Sequence, residues 1–233
     1  MEITSYKHTD RILVAIDCII FGFDKEQLKL LLIKRDFEPE KGKWSLMGGF
    51  LGESESLDEA AHRILKALTG LKNIYLEQLH AFGEVNRDPV ERTISVAYNA
   101  LIDIEAHSFE LSDDYSASWF PITQLPDVIF DHNQMITDAL DRLQYKASHE
   151  AIGFELLPEK FTLPELQKLY ECIYGRSLDK RNFRRRILAM DVLINTGEKE
   201  KESSKKGAFL YTFDQTEFNK LQKAGQNMDL NLY

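Results

Sequence analysis

The chain has 233 residues, of which 43% are hydrophobic and 29% are charged. No apolar run reaches the roughly 20 residues that cross a bilayer, and the polar N-terminus lacks a secretory signal, so a cytoplasmic protein is expected. Two cysteines and six scattered histidines lack the spacing of zinc ligands, which excludes a structural zinc site and a disulfide framework.

The charge is uneven along the chain. Residues 1–150 hold 15 Lys and Arg against 26 Asp and Glu, a net −11, whereas residues 151–233 hold 14 against 12, a net +2. Such an asymmetry suggests that the two halves have different partners. An acidic protein with a locally basic second domain can still bind nucleic acid.

The first 150 residues alternate apolar strands with amphipathic helices. Segments rich in β-branched and apolar residues predict strands at 12–23, 28–35, 76–85, 93–103 and 116–122. Apolar residues at helical spacing predict helices from Ser56 to a stop at Gly70, and over 132–148. This order predicts an α+β domain in which helices flank a mixed sheet.

A domain boundary is expected near residues 151–160, where Gly153 and Pro158 interrupt the helical periodicity. The sequence therefore predicts one domain over residues 1–150 and another over 151–233.

The second domain begins with a helix whose two ends are both marked. A capping box at Thr162 and Glu165 predicts its start, and Gly175 predicts its end. A short turn leads to a second helix over 180–190. Apolar segments at 192–197 and 208–214, separated by a charged loop, then predict a hairpin.

Six residues between Gly49 and Leu71 have a fixed spacing. They are Gly49, Glu55, Arg63, Leu65, Gly70 and Leu71, preceded by the segment WSLMGGF. This pattern resembles the Nudix box, G-x5-E-x7-R-E-U-x-E-E-x-G-U with U a bulky aliphatic residue, and its W-x-L-P-G-G lead-in, with Met47 in place of Pro. The resemblance implies a Nudix-like fold. In Nudix hydrolases the glutamates of the box bind divalent cations that polarise a diphosphate and activate water.

The three glutamate positions of R-E-U-x-E-E hold Ile64, Ala67 and Leu68 in this chain. Their i, i+3, i+4 spacing puts them on one helical face, so the face that binds metal in Nudix hydrolases is apolar here. Other acids remain near the helix start, where a structural role with the helix dipole is favoured over a rebuilt metal site: Glu53, Glu55, Asp58 and Glu59. We therefore expect no metal site, no cofactor and no catalytic residue. The pocket is expected to bind a ligand without hydrolysing it.

The helix over 180–190 has one apolar and one cationic face. A solvated charged surface would explain the cations alone. However, a capped helix, a short turn, a basic helix and a hairpin follow one another as in a winged helix-turn-helix, whose second helix enters the major groove. The residues expected to contact DNA are Lys180, Arg181, Asn182, Arg184, Arg185 and Arg186, with Lys205 and Lys206 in the hairpin tip.

Residues 153–188 resemble the linker and helix-turn-helix of NrtR-type bacterial regulators, which fuse a Nudix-like effector domain to a winged helix. The resemblance extends over nearly the whole chain. Some members of this group sense ADP-ribose in NAD metabolism and others sense sugars, and a box this degraded is most similar to the arabinose-responsive, AraR-like branch. The resemblance implies a homodimeric repressor that binds a palindromic operator and is released by L-arabinose.

A pentose needs hydrogen-bond partners for its hydroxyls and an apolar face against its ring. The candidate effector residues follow strands or lie on loops beside the box: Arg35, Lys43, Trp44, Glu84 and Asp131. Taken singly, a salt bridge explains Arg35 and Glu84 better, and a core position explains Trp44 better. Two other functions stay open, a hydrolase of ADP-ribose-like nucleoside diphosphates and an ADP-ribose-sensing regulator of NAD metabolism.

Overall fold

The computed structural model describes residues 10–107, 116–150, 152–200 and 207–224. Within these residues the first part of the chain forms a seven-stranded mixed sheet. Its strands are β1 Leu13–Phe23, β2 Leu28–Lys34, β3 Trp44–Ser45, β4 Met47–Phe50, β5 Glu77–Phe82, β6 Thr93–Asp103 and β7 Ala117–Pro121. The central strands β1 and β6 run parallel, and the other pairs are antiparallel.

Two helices cover opposite faces of this sheet, which confirms the predicted layers. They are α1, Leu57–Thr69, and α2, His132–His149. Alternate residues of β1 pack in different clusters: Ile16 and Cys18 lie with α1, whereas Ile19 and Phe21 lie with α2. Burial on both faces explains why β1 is almost continuously apolar.

The second part forms a winged helix. A short 3-10 turn at Phe154–Leu156 leads to β8 Phe161–Thr162, α3 Leu163–Tyr174, α4 Lys180–Ala189, β9 Leu193–Glu200, β10 Ala208–Phe213 and α5 Gln215–Lys223. The three strands pair in the order β8-β10-β9. The predicted capping box of α3 is present, since Thr162 Oγ1 accepts from Glu165 N and the Glu165 carboxylate accepts from Thr162 N.

The two parts share one hydrophobic core. Leu30 of β2 and Ala147 of α2 belong to the same buried cluster as Leu166 of α3. Gln144 Nε2 also donates a hydrogen bond to the Ile173 carbonyl at 3.0 Å. The winged helix therefore packs directly on α2 and β2, while the boundary near residue 150 stays a prediction.

Besides the 3-10 turn, the described residues contain four elements that the sequence analysis did not predict: β3, β4, β8 and α5. The three strands are two to four residues long, too short for an alternating pattern, and form only because longer strands pair with them. The wing strand β9 also continues into the predicted charged loop, because Lys199 and Glu200 pair with β10. No helix in the described ranges is long and apolar enough to span a membrane.

Candidate functional site

A cavity of about 300 Å³ lies between α1, β4 and the end of β2. Ala67 and Leu68 of α1 form part of its wall. The charged and aromatic residues that line it are Asp17, Lys34, Arg35, Asp36, Phe37, Phe50, Arg87, Asp88, Phe130 and His132. This size is at the lower end of the range, about 300–1,000 Å³, that holds small-molecule ligands.

A buried polar network surrounds Asp17 at the base of the cavity. Ser95 Oγ donates to Asp17 Oδ2 at 2.6 Å, and the Arg87 guanidinium lies 3.8 Å from the same oxygen. Arg87 also donates two hydrogen bonds of 2.8 Å to the carboxylate of Asp131. A side chain at Gly48 would collide with Asp17, so the glycine of the lead-in leaves room for the acid. Arg87 thus contacts two carboxylates and offsets part of their negative charge.

His132 completes this network at the first residue of α2. The backbone N–H of Leu46 donates to Nδ1 at 3.1 Å, which places the ring proton on Nε2, 3.8 Å from Asp17 Oδ1. Burial lowers the pKa of His132, and the negative charge of Asp17 opposes this only in part. The imidazole is therefore neutral at pH 7.

A cation and aromatic rings lie at the mouth of the cavity. The Arg35 guanidinium lies 3.7 Å from the ring centroid of Phe37 and 5.8 Å from that of Phe130. The Phe37 residue is 57% exposed. Such an arrangement offers both a positive charge and a free aromatic face to a ligand.

Three of the four acids near α1 have structural partners. Arg63 donates to both oxygens of Glu55, at 2.8 and 2.5 Å, and to the Phe50 carbonyl at 2.9 Å. The hydrogen bonds from Arg63 and from Gly52 N lower the pKa of Glu55 to about 2. Two further carboxylates are engaged, since Glu59 caps α1 with Ser56 and Asp58 accepts from the Tyr98 hydroxyl at 2.6 Å.

These residues do not fit the divalent cation that Nudix hydrolases bind. Ile64 is buried against Gly49, and Ala67 and Leu68 present only carbon atoms to the cavity. Among the described residues, no group of three or more His, Cys, Asp or Glu side chains could hold a metal ion. Hard cations need several oxygen ligands, which this face of α1 does not provide.

The five predicted effector residues are not brought together. Arg35 lines the cavity and Asp131 adjoins it through Arg87. Lys43 and Trp44 line a different cavity, beside residues 126–130. Trp44 packs edge-to-face on Phe120, with centroids 4.7 Å apart, and the exposed Glu84 lies outside the described cavities.

The prediction missed the buried polar residues of the network: Asp17, Arg87, Ser95 and His132. One signal was available for the first of them. Asp17 is an isolated acid within the apolar strand segment 12–23, and a buried charge requires partners.

The predicted faces of α4 are confirmed by burial. Phe183 and Ile187 are buried in the core, whereas Arg181, Arg184 and Arg185 are exposed. Asp179 caps the helix through a hydrogen bond from Asn182 N at 2.7 Å.

The remaining predicted DNA-contacting residues have different surroundings. Asn182 Oδ1 accepts from Arg185 at 2.9 Å and from Arg186 at 3.1 Å, and Lys180 is exposed. The amide of Asn182 thus holds two guanidinium groups along the helix. Lys205 and Lys206 lie outside the residues that the structure describes.

A cavity beside a Nudix box and an exposed basic helix in a winged domain define the class of this protein: a Nudix domain joined to a DNA-binding winged helix. The NUDIX domain family matches residues 11–139, and the NrtR DNA-binding winged helix domain family matches residues 153–213. The chain belongs to the NrtR family.

Two relatives support this assignment. The ADPR responsive transcriptional repressor NtrR of Acinetobacter baylyi is 38% identical over 205 residues, which cover 86% of this chain and 82% of the relative. NrtR of Shewanella oneidensis, solved with a 27mer DNA, is 34% identical with a TM-score of 0.75, and the match covers 88% of this chain and 95% of that one. Its NUDIX domain, solved with ADP ribose, is 33% identical with a TM-score of 0.51, covering 60% and 93%.

The third relative is an enzyme. The ADP-ribose pyrophosphatase of Methanocaldococcus jannaschii is 35% identical over 126 residues, which cover 54% of this chain and 71% of the enzyme. The names of the two regulators do not support the expected arabinose-responsive branch, because they refer to ADP-ribose.

Proposed function

We propose that this protein is a transcriptional repressor that binds operator DNA through its winged helix and leaves it when ADP-ribose binds in the cavity beside α1. One observation carries the proposal. The cavity at the Nudix site offers Arg35 and two aromatic rings to a ligand, while the adjoining face of α1 is apolar. ADP-ribose is chosen because two related regulators are named or solved with it.

The residues at the cavity suit the chemistry of ADP-ribose. Its diphosphate is anionic, and Lys34 and Arg35 supply positive charge. Its adenine is planar and could stack on the exposed ring of Phe37. Its ribose hydroxyls could donate to the carboxylate of Asp17. A lone pentose would leave much of the cavity unfilled, so L-arabinose is the weaker candidate.

The proposal includes binding without cleavage. Nudix chemistry needs a cation at the box, and Ile64, Ala67 and Leu68 supply no ligand for one. The rival function, hydrolysis of ADP-ribose, is favoured by the related pyrophosphatase alone. Release of AMP from ADP-ribose with Mg²⁺, at an ordinary enzymatic turnover and absent from an Arg35→Ala, Leu68→Trp double variant, would support the rival.

The proposed DNA-bound form is a homodimer on a palindromic operator. Arg181, Arg184 and Arg185 are exposed on α4 and could donate hydrogen bonds to guanine or to phosphate. Two such helices related by two-fold symmetry would read half-sites about one or two helical turns apart, each turn being roughly 10 base pairs.

Isothermal titration of the full chain tests the effector. ADP-ribose, AMP, D-ribose and L-arabinose should each be titrated separately. AMP and D-ribose represent parts of ADP-ribose, and L-arabinose is the competing candidate. We expect saturable binding of ADP-ribose and weak or no binding of the free sugars. Tighter binding of L-arabinose than of ADP-ribose would contradict the proposal and restore the arabinose-responsive assignment.

A further inference from the structure

A second cavity, of about 340 Å³, lies on the face of the sheet that packs against α2. It opens where β5 stops pairing with β6. The register of this pair ends at Glu77 opposite Asn99, whereas β6 continues to Asp103. Within the described residues, the last part of β6 therefore has no strand on this side, and the cavity occupies the place of one.

The walls of this cavity come from three parts of the molecule. Phe21 and Leu101 belong to the central strands, and Leu143 belongs to α2. Ile152 and Leu156 belong to the segment that leads into the winged helix. A ligand in this cavity would contact both the Nudix domain and the start of the winged helix.

One polar side chain in this apolar cavity lacks a partner. Asn99 is only 8% exposed, lines the cavity, and has no hydrogen bond from its side-chain amide to any residue that the structure describes. Its amide atoms remain accessible from the cavity, so a ligand that displaces water there must replace the lost hydrogen bonds. An amide has one acceptor oxygen and two donor hydrogens on adjacent atoms. A ligand that satisfies it must present a donor and an acceptor side by side.

The charged groups of the lining already have partners within the protein. Asp103 Oδ1 accepts from the backbone N–H groups of Glu105 and Ala106 at 2.8 and 3.4 Å. Glu77 accepts from Lys146 at 2.5 Å and from Arg142 at 3.1 Å, and Lys146 also lies 3.6 Å from Glu150. The cavity therefore favours an uncharged ligand, in contrast to the cavity beside α1, which Lys34, Arg35 and Arg87 line. At its mouth, Tyr75 is 81% exposed and offers an aromatic face.

We propose that this second cavity binds an uncharged planar heterocycle of the nucleobase class, hydrogen-bonded at its polar edge to Asn99. An asparagine amide pairs with two adjacent polar atoms of a base, as it does with adenine N6 and N7 in nucleic-acid recognition. The apolar walls enclose the ring faces, and Tyr75 stacks on the part that reaches the mouth. The site is separate from the ADP-ribose cavity and does not depend on it.

Titration of adenine, cytosine and uracil into the full chain tests this site. At least one base should bind, and Asn99→Leu should weaken that binding at least tenfold, because leucine keeps the volume of the side chain but removes the amide. Leu68→Trp, which fills the cavity beside α1, should leave the affinity for the base unchanged. Thermal unfolding of each variant reports whether the fold is retained.

A second variant, which obstructs the cavity, keeps the test informative if Asn99→Leu does not fold. Ala106 is exposed and lines the cavity, so Ala106→Trp should obstruct it without disturbing the core. Loss of base binding in Ala106→Trp supports the site. Binding that survives both Asn99→Leu and Ala106→Trp, binding that is lost instead in Leu68→Trp, or no binding of any of the three bases to the wild-type chain would each overturn the proposal.

Discussion

We expect His132 to make the free energy of unfolding depend on pH. Burial holds its pKa in the folded state below the ordinary value near 6.5, so the unfolded chain takes up the proton first as the pH falls. The free energy of unfolding should then decrease below about pH 6.5, by up to about 1.4 kcal/mol per pH unit, until the folded state is protonated too.

Urea unfolding at pH 7.5 and 5.5 measures this effect. Glutamine at position 132 can still accept from Leu46 N but does not titrate, so His132→Gln should lose less stability than the wild type over this interval. The carboxylates whose pKa is lowered, such as Glu55 and Glu77, lose their contribution only at lower pH. Equal losses in the two proteins would show that His132 is not the titrating group.

A substitution at Leu68 tests whether ADP-ribose binds in the cavity beside α1. Leu68→Trp should fill part of the cavity and weaken ADP-ribose binding at least tenfold, while operator affinity without ligand stays unchanged. Lys66→Trp is a matched control, since Lys66 is exposed on the same helix and does not line this cavity. If both variants bind ADP-ribose like the wild type, the ligand lies elsewhere.

Arg184 tests the exposed face of α4. Arg184→Ala should cost on the order of 1–3 kcal/mol in operator binding and relax specificity at one base pair, if this arginine contacts a base edge. Lys220→Ala on α5 is a suitable control, because Lys220 is exposed and pairs with Glu217. Fluorescence anisotropy with a set of single-base operator variants measures both. Uniform weakening on every sequence would instead identify a phosphate contact.

At the scale of one element, the capping box makes α3 sensitive to a single change. Thr162→Ala removes the acceptor for Glu165 N and should lower the free energy of unfolding by about 0.5–2 kcal/mol. Since α3 shares its core with α2 and β2, chemical unfolding should remain a single transition with a lower midpoint. An unchanged midpoint would mean that the cap contributes nothing.

The order of the longer elements could be predicted because each carries its own periodicity and end signals, as α3 does with Thr162 and Gly175. The short strands could not be predicted, because they depend on pairing with longer strands, as β4 does with β1. The same limit applies to the site. Asp17 lies far in sequence from Ser95 and Arg87, and only the fold brings them together. Lys43 and Trp44 are near the box in sequence but face another cavity.

At the scale of the whole molecule, α2 connects the cavity to the winged helix. It begins at His132 in the polar network, and its later turns pack on α3, with Gln144 bonded to the Ile173 carbonyl. Its 18 residues span about 27 Å. Asp131 is the N-cap residue of this helix. Within the described residues its side chain makes no capping hydrogen bond, because the carboxylate pairs with Arg87. A ligand that engages Arg87 would therefore act directly on the start of α2.

A ligand can shift DNA affinity only if it prefers one arrangement of the two winged helices, so ADP-ribose and operator binding must be thermodynamically linked. Titration of operator DNA with the full chain, by mobility shift with and without saturating ADP-ribose, measures this linkage most directly. We expect at least a tenfold loss of operator affinity with ADP-ribose and no change with L-arabinose. Unchanged operator affinity at saturating ADP-ribose would contradict the account, and tighter binding would make ADP-ribose a co-repressor rather than an inducer.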